Sequence, residues 1–500
     1  MNVCLIVPPS SFLLDEKVFM SLGILRVAAV LESAGLAVEV LDLSGIQNYA
    51  DVASRHATAS SAPVFGLTAT TPQMPAALEI ARALRRARPA ARIILGGPHV
   101  TLVNAACRSG RAGGGGRALK AMDRLVESFD CLVAGDGEEA IFRALQADAP
   151  KLIDADDAKS PMFLNAARLN ELPLPARHLL DVASYRYEIE GERALSLIAQ
   201  LGCPFGCGFC GGRQSPSLRR VRTRSTDRVI EEITRLHEDY GINGFMFYDD
   251  ELNVNSRMLE LMVRLRAEQD KRGVEWRLRG FVKADLFSDA QASAMYRAGF
   301  RWILAGFESG SPRMLANMEK RATREENSRC LEIARRHGLK IKALMSLGHP
   351  GESEMTARLT HEWLLNSRPD DFDVTIITTY PGSPYYDRAV PHASIPGAWT
   401  YRCAGTGDQL HSWDIDYTRV AEYYKGDPNG GYRSYVFTDD LEAADLVRLR
   451  DFIEHDVRAR LGIPFPQARP SVRFESSMGQ LPSCILRRST LGPIGARVEA

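Results

Sequence analysis

Cys203, Cys207 and Cys210 fall within the segment IAQLGCPFGCGFCGGR (198–213), three of the nine cysteines in a chain of 500 residues. In a reducing compartment, cysteines clustered in this way bind metal or catalyse rather than form disulfides. Three ligands from one loop leave a tetrahedral structural zinc site one short. A cubane iron–sulfur cluster suits them better, because thiolates hold three irons and the fourth iron stays open to a substrate. Gly206 and Gly208 let the loop wrap such a cluster closely. The remaining cysteines, Cys4, Cys107, Cys131, Cys330, Cys403 and Cys484, are scattered and read as small buried hydrophobes.

A loop with this task needs a rigid base, and the flanking pattern supplies one. LSLIAQLG (195–202) reads as a strand ending at the cysteines, which puts the loop at the C-terminal end where βα barrels keep their active sites. Helix TDRVIEEITRLHEDYG follows, with Val229, Ile230, Ile233 and Leu236 on one face and Gly241 as its stop. The alternation then continues through GFMFYDD, EWRLRGFV, FRWILAGFES, LKIKALMSLG and DFDVTIITTYPG. Six βα-type strands are too few for a closed eight-fold barrel and predict an open, partial one.

Upstream, NVCLIVPP, LAVEVLDL, PVFGLTAT, ARIILGG and DCLVAG alternate with amphipathic helices. Near-continuous apolar strands imply a parallel sheet covered on both faces, hence an α/β, doubly wound (Rossmann-like) domain. The expected organisation is residues 1–145 for this domain, 146–185 for a linker carrying the short strand KLID, 186–390 for the partial barrel, and 391–500 for a C-terminal substrate or capping region. RSGRAGGGGRALKA (108–121) reads as a glycine-rich surface insertion, and SSMGQLPSCILRRSTLGPIGARVEA as a poorly ordered tail.

Lysine plus arginine equals aspartate plus glutamate, 62 against 62, so no bulk field points to nucleic acid or an anionic membrane. A small molecule or peptide fits such a surface better. MNVCLIVPPSS lacks the basic start of a signal peptide, and no run approaches the roughly 20 apolar residues of a membrane span. The expected location is therefore the cytoplasm.

The cysteine spacing, with Phe209 before the last cysteine, resembles the signature of the radical S-adenosylmethionine (SAM) superfamily. YDDELNVN (248–255), GFESGSP (306–312), SLGHPGES (346–353) and TYPGSPYYD (379–387) follow in the order, and at the strand ends, where that superfamily carries its motifs. The resemblance implies that Cys203, Cys207 and Cys210 bind a [4Fe–4S] cluster whose open iron takes the amino and carboxylate groups of SAM. It places Phe209 beside the adenine and gives Asp249 or Asp250 the amino group, where the superfamily often has a glutamate. Glu308 and Ser309 would contact the ribose or methionyl part, and Leu344 to Gly348 would line the adenine. It further implies reduction by a donor such as flavodoxin or ferredoxin, and a 5′-deoxyadenosyl radical formed in a dry barrel.

A doubly wound sheet binds ligand outside the carboxyl ends of its strands. There the loops read TATTPQMP (68–75), GGPHVT (96–101) and GDGEE (135–139), with no dinucleotide or phosphate-loop motif. GGPHVT, GDGEEA and ELPLPARHLLD ahead of a radical SAM barrel resemble the cobalamin-binding class of radical SAM enzymes. That resemblance implies that Thr70 to Met74, Gln73 included, approach the lower corrin face. Gly96, Gly97, His99, Thr101, Gly135 and Gly137 would pack against the corrin and its nucleotide tail. The D-x-H-x-x-G motif is absent, as is common in this class, so no histidine on cobalt is expected. His99 reads equally well as a solvent-facing loop residue.

The function implied is a cobalamin-dependent radical SAM methyltransferase acting on an unactivated carbon of a small molecule such as a secondary-metabolite intermediate. The alternative is rearrangement, cyclisation or oxidation without net methyl transfer, with or without cobalamin. A methylthiotransferase would need three N-terminal cysteines around a second cluster, and Cys4, Cys107 and Cys131 read as packing instead. A non-catalytic cobalamin or light sensor would have no need of the cysteine triad. Tyr380, Tyr401, Trp413 and Tyr417 are candidates for the substrate surface, although an aromatic-rich stretch is more often core.

Overall fold

The computed structural model describes residues 1–10, 13–110, 116–421, 432–467, 469–474 and 481–489. The glycine run at 111–115, Tyr423 and Tyr424, and the chain end from 490 lie outside them.

Six parallel strands, β1 (Asn2–Val7), β2 (Ala37–Asp42), β3 (Val64–Thr68), β4 (Arg92–Gly96), β5 (Cys131–Ala134) and β6 (Leu152–Asp154), form the first sheet in the order 2-1-3-4-5-6. Their apolar runs are buried on both faces because helices cover both sides, as a parallel sheet requires. The order reverses between β1 and β3, and it is outside the carboxyl ends at such a switch point that these folds bind ligand. KLID contributes β6, the sheet's edge strand, so the first sheet runs past residue 145.

The second sheet opens with a hairpin of β7 (Tyr187–Ile189) and β8 (Glu192–Leu197). A short antiparallel ribbon, β9 (Gln200–Leu201) with β10 (Arg222–Thr223), brackets the cysteine loop. Strands β11 (Gly244–Phe247), β12 (Arg277–Phe281), β13 (Phe300–Glu308), β14 (Lys340–Leu347) and β15 (Asp371–Ile376) then add in parallel. With β8 they make six parallel strands, the partial (β/α)6 barrel. Helix Thr226–Tyr240 begins at Ser225, whose hydroxyl accepts from the Arg228 amide, and ends at Gly241 in the left-handed region at φ 64°.

The C-terminal region is a four-stranded antiparallel sheet, β16 (Val390–Pro391), β17 (Ala398–Arg402), β18 (Gln409–Trp413) and β19 (Val436–Phe437), followed by helix Ala443–Leu461 against β15. Within the stretch expected to be poorly ordered, the described residues 481–489 include Leu486–Arg488, which forms β20, antiparallel to β2 at the edge of the first sheet. Arg488 there reaches Glu39 at 2.8 Å, and Ser489 bonds the Val38 amide at 2.9 Å. No described helix is long and apolar enough to cross a membrane.

One apolar core joins the two sheets, from Val3 and Leu5 of β1 to Leu197 of β8 and Phe245 of β11. Polar anchors reinforce it. Arg222 pairs with Asp136, and Asp156 accepts from the hydroxyls of Ser215, at 2.6 Å, and Ser217.

Candidate functional site

The cysteine loop is held by backbone bonds on several sides. The Cys203 amide donates to Leu218 (3.0 Å), that of Gly208 to Met318 (2.7 Å) and that of Tyr385 to Gly208 (3.1 Å). Arg219 caps the Phe205 carbonyl and that of Pro204 (2.6 Å). Burial pushes the Cys203 thiol up to about 11 and that of Cys210 to about 12, although Cys210 opens onto accessible space. Neighbouring thiols add to both shifts, so the three sulfurs converge.

Among the described residues, Cys4, Glu39 and His56 are the set whose ligand atoms all lie within 4.8 Å of one another. The three loop thiols do not form such a set. The Cys4 set is a closed hydrogen-bonded triad: Glu39 accepts from Ser60 at 2.8 Å, lies 3.0 Å from His56 and is bound by Arg488.

Two cavities flank the loop. The first, of about 380 Å³, lies between the first sheet's ligand edge and the barrel. Leu5 and Thr68 line it at the switch point, Gly96, Gly97, Thr101, Gly135 and Gly137 line its domain side, and Gly202, Leu218, Arg222 and Asp250 close it from the barrel. Thr101 clamps its floor, accepting from the Gly135 amide at 2.8 Å and donating to the Gly97 carbonyl at 3.1 Å. At Gly135, with φ at 87°, a Cβ would fall 2.5 Å from the Asp156 amide. Glycine backbone along the sheet edge, with apolar side chains such as Ile94, Val133 and Leu218 around it, leaves room for a flat cofactor with an extended tail, and no histidine among the described residues lines it.

Three expected members are elsewhere. His99 is buried, 2% exposed, in helix Pro98–Gly110 rather than in a solvent-facing loop. Its Nδ1 is 3.1 Å from the Thr71 hydroxyl, and burial lowers it to about 4, so the ring is neutral. Thr70 and Gln73 form a capping box, and Gln73 donates to the Pro8 carbonyl at 2.7 Å; neither lines the cavity.

The second cavity, of about 700 Å³, is the barrel lumen, lined among others by Phe209, Glu308, Leu344 and Ser346. Phe209 stands edge-on to His349, with centroids 5.4 Å apart. Glu308 adopts φ 64°, an uncommon region for a side-chain-bearing residue, where the register shifts between Gly306 and Glu308. This conformation aims its carboxylate into the lumen, where it accepts from Lys320 at 2.6 Å and Ser346 at 2.9 Å. Ser346 continues to His349 Nε2 at 2.8 Å.

The bulge sends the neighbour the other way. Ser309 lies buried 2.9 Å from Thr360, behind the lumen wall. Gly348, left-handed at φ 85°, packs towards Val436 and Leu446, again off the lumen. The two aspartates also diverge. Asp249 is buried in neither cavity, accepts from the Ala199 amide at 3.1 Å, and is pushed up to about 7 by burial. Asp250 faces the first cavity.

Of the aromatic candidates, Tyr380 lines the lumen, whereas Tyr401 is buried against Tyr385, Tyr417 donates to the Thr379 carbonyl, and Trp413 packs on Phe437. Sequence reasoning missed Glu251, pushed up to about 7 by burial near Lys320 and Lys283, and both lysines. Glu251 directly follows two other acids, which was a signal, whereas Lys320 stands in the charged run MEKRATREE and carries no local mark of burial.

Residues 16–145 match the B12 binding domain and residues 197–364 the Radical SAM superfamily. An uncharacterised methyltransferase of Pyrococcus horikoshii is 28% identical over 65% of this chain and 69% of its own length. The anaerobic magnesium-protoporphyrin IX monomethyl ester cyclase of Cereibacter sphaeroides is 24% identical over 65% of this chain, which spans about half (52%) of that relative. The fold is shared with the radical SAM methyltransferase TsrM of Kitasatospora setae, solved with cobalamin and a [4Fe–4S] cluster bound (TM-score 0.60, 18% identity, 81% of both chains). It is shared too with the cobalamin-dependent radical SAM enzyme OxsB (TM-score 0.55, 17% identity, 77% of this chain and 55% of that one). The protein is a radical SAM enzyme, a member of that superfamily with a B12-binding domain ahead of its barrel.

Proposed function

We propose that the protein is a cobalamin-dependent methyltransferase acting on an unactivated carbon of a small molecule, such as a secondary-metabolite intermediate, held in the barrel lumen. The observation that carries this reading is the pair of cavities on either side of one cysteine loop, with Tyr248 lining both. When bound, the cluster with SAM supplies hydrogen-atom abstraction after reduction by a flavodoxin- or ferredoxin-like donor, and cobalamin supplies a methyl group.

The chain's own part is holding, orienting and excluding water. Cys203, Cys207 and Cys210 would hold the cluster, and Phe209 would wall the adenine. Glu308, pinned by Lys320 and Ser346, offers a fixed carboxylate to hydroxyl or amino donors. Lys283 stacks over Phe205 of the loop at 4.5 Å, adding a positive charge where thiolates must form. Phe19, from the first domain, reaches Tyr187 and Tyr248 at 5.1 and 4.9 Å and covers part of the barrel's open side, which would help to keep water from reactive intermediates. On this reading Gly96, Gly97, Gly135 and Gly137 give the second cofactor its close backbone approach.

Anaerobic reconstitution with iron, sulfide and hydroxocobalamin tests this; about four irons and one cobalt per chain are expected. Turnover of a substrate should then release S-adenosylhomocysteine together with 5′-deoxyadenosine. The match to a cyclase over 65% of this chain supports a second reading, radical cyclisation or oxidation without methyl transfer. Methyl-labelled SAM separates the two, because label enters the product in the first alone.

A further inference from the structure

Among the described residues, the barrel lumen contains one cation without an acid. Lys342 is held by Asp371 and Asp373, at 3.0 and 2.9 Å, and Lys320 by Glu308. Arg279, on β12, meets no carboxylate among the described residues. Its Nη1 donates to the Tyr187 hydroxyl at 2.9 Å, its guanidinium lies 5.5 Å over Trp302, and its buried Nε has no partner. Leaving a guanidinium half-buried and uncompensated is costly, and the shape of that group matches the two oxygens of a carboxylate or phosphoryl group. Next to it the wall is aromatic: Tyr187, Phe19, Tyr248 and Phe281 follow one another at centroid distances of 5.1, 4.9 and 6.1 Å. A surface of that kind buries a flat apolar body well.

We infer that the substrate is a planar, largely apolar molecule carrying an oxyanion, and that its carboxylate or phosphoryl oxygens dock on Arg279 while its flat body lies along the Phe19–Tyr248–Phe281 wall. The inference rests on the reading of the lumen as the substrate chamber. Arg279 is a binding residue in this scheme: it sets the depth at which the substrate stops and therefore which carbon faces the cysteine loop. On the proposed function SAM would occupy the loop end of the lumen, beside Phe209 and Glu308, which leaves Arg279 to an anion of the substrate.

The test uses holoenzyme reconstituted with cluster, cobalamin and SAM, titrated calorimetrically with naphthoate, naphthyl phosphate and the neutral naphthamide. At least one anion should bind about tenfold or more tightly than the amide, and which one does so distinguishes carboxylate from phosphoryl recognition. Arg279→Met should abolish the preference and leave amide affinity unchanged, whereas Arg279→Lys, which keeps charge without the fork, should restore part of it. Equal binding of all three probes by the wild type, or a preference that survives Arg279→Met, overturns the inference. So does weakened SAM binding in Arg279→Met with probe preference intact, since that would assign the guanidinium to the SAM carboxylate. Iron and cobalt are quantified on every preparation. A preparation that takes up neither refutes the cofactor reading, and the anion preference is still scored on it.

Discussion

The cavity at the edge of the first sheet has Gly66, Gly96, Gly97, Gly135 and Gly137 along its sheet side, among apolar side chains such as Leu5, Ile94 and Val133, whereas the barrel lumen is walled by alternate inward side chains such as Arg279, Phe281, Leu304, Glu308 and Leu344. The sheet side of the first is shaped by what its glycines lack. Strand ends at a switch point splay apart, and glycines let a flat group lie directly against the backbone there. The second is shaped by what its residues carry, because strands that curl turn every second side chain inward. The first cavity should therefore fail when atoms are added, and the second when groups are removed.

Cys207→Ala takes that contrast furthest. It should reduce bound iron and 5′-deoxyadenosine formation more than about 100-fold while cobalt uptake stays near wild type. Parallel loss of cobalt would show that the two cavities do not fill independently.

Glu308→Gln comes next. It removes the carboxylate bonded to buried Lys320, costing about 3 kcal/mol in thermal or denaturant unfolding and weakening SAM binding about tenfold by calorimetry, with cobalt unchanged.

Additions on the other side sharpen the same point. Gly135→Ala, whose Cβ would meet the Asp156 backbone, should destabilise by about 3 kcal/mol. Gly96, whose nearest neighbour would be Val133 at 3.8 Å, has room for a side chain. Gly96→Leu should therefore leave the melting temperature nearly unchanged and lower cobalt content, with iron unaffected.

The first sheet also carries a pH signature that the barrel site does not share. Burial alone would raise Glu39, but hydrogen bonds from His56 and Ser60 outweigh it and hold the carboxyl at about 2, below its ordinary 4.5. A depressed carboxylate stabilises the fold above its unfolded pKa, and that stability drains away as pH falls from about 4.5 towards 2, up to about 3 kcal/mol in all. Glu39→Gln should flatten that part of the acid-unfolding curve. The smallest effect is expected at His99. His99→Gln should cost about 1 kcal/mol through Thr71 and leave cobalt content and its absorption spectrum unchanged.

Both cavities were legible at their strand ends and obscure elsewhere. Glu308 and Ser309 look equivalent in GFESGSP, yet a register shift turns one into the lumen and buries the other on Thr360. Asp249 and Asp250 part in the same way, one tying down the Ala199 amide and the other facing the first domain. His99 was drawn to the ligand edge by its place in GGPHVT, but the helix it starts carries the ring towards Thr71 and Tyr417. Arg279 lies mid-strand in EWRLRGFV, outside every motif, and nothing local shows that its guanidinium meets no carboxylate among the described residues.

The sequence by itself determined the alternation of strands and helices, the doubly wound sheet followed by six barrel strands, and the cysteine loop with Phe209 at a strand's end. These are local properties, set by apolar periodicity and by spacing within a few residues. Tertiary structure alone decided which acid or hydroxyl enters a cavity, that Leu486–Arg488 returns to complete the first sheet, that Phe19 crosses from the first domain onto Tyr248 of the barrel, and that Arg279 lines the lumen with no acid beside it among the described residues. Each of those depends on the pairing register and closure of strands far apart in the chain. A one-residue change in register reverses the face of every side chain, so no single segment encodes the outcome.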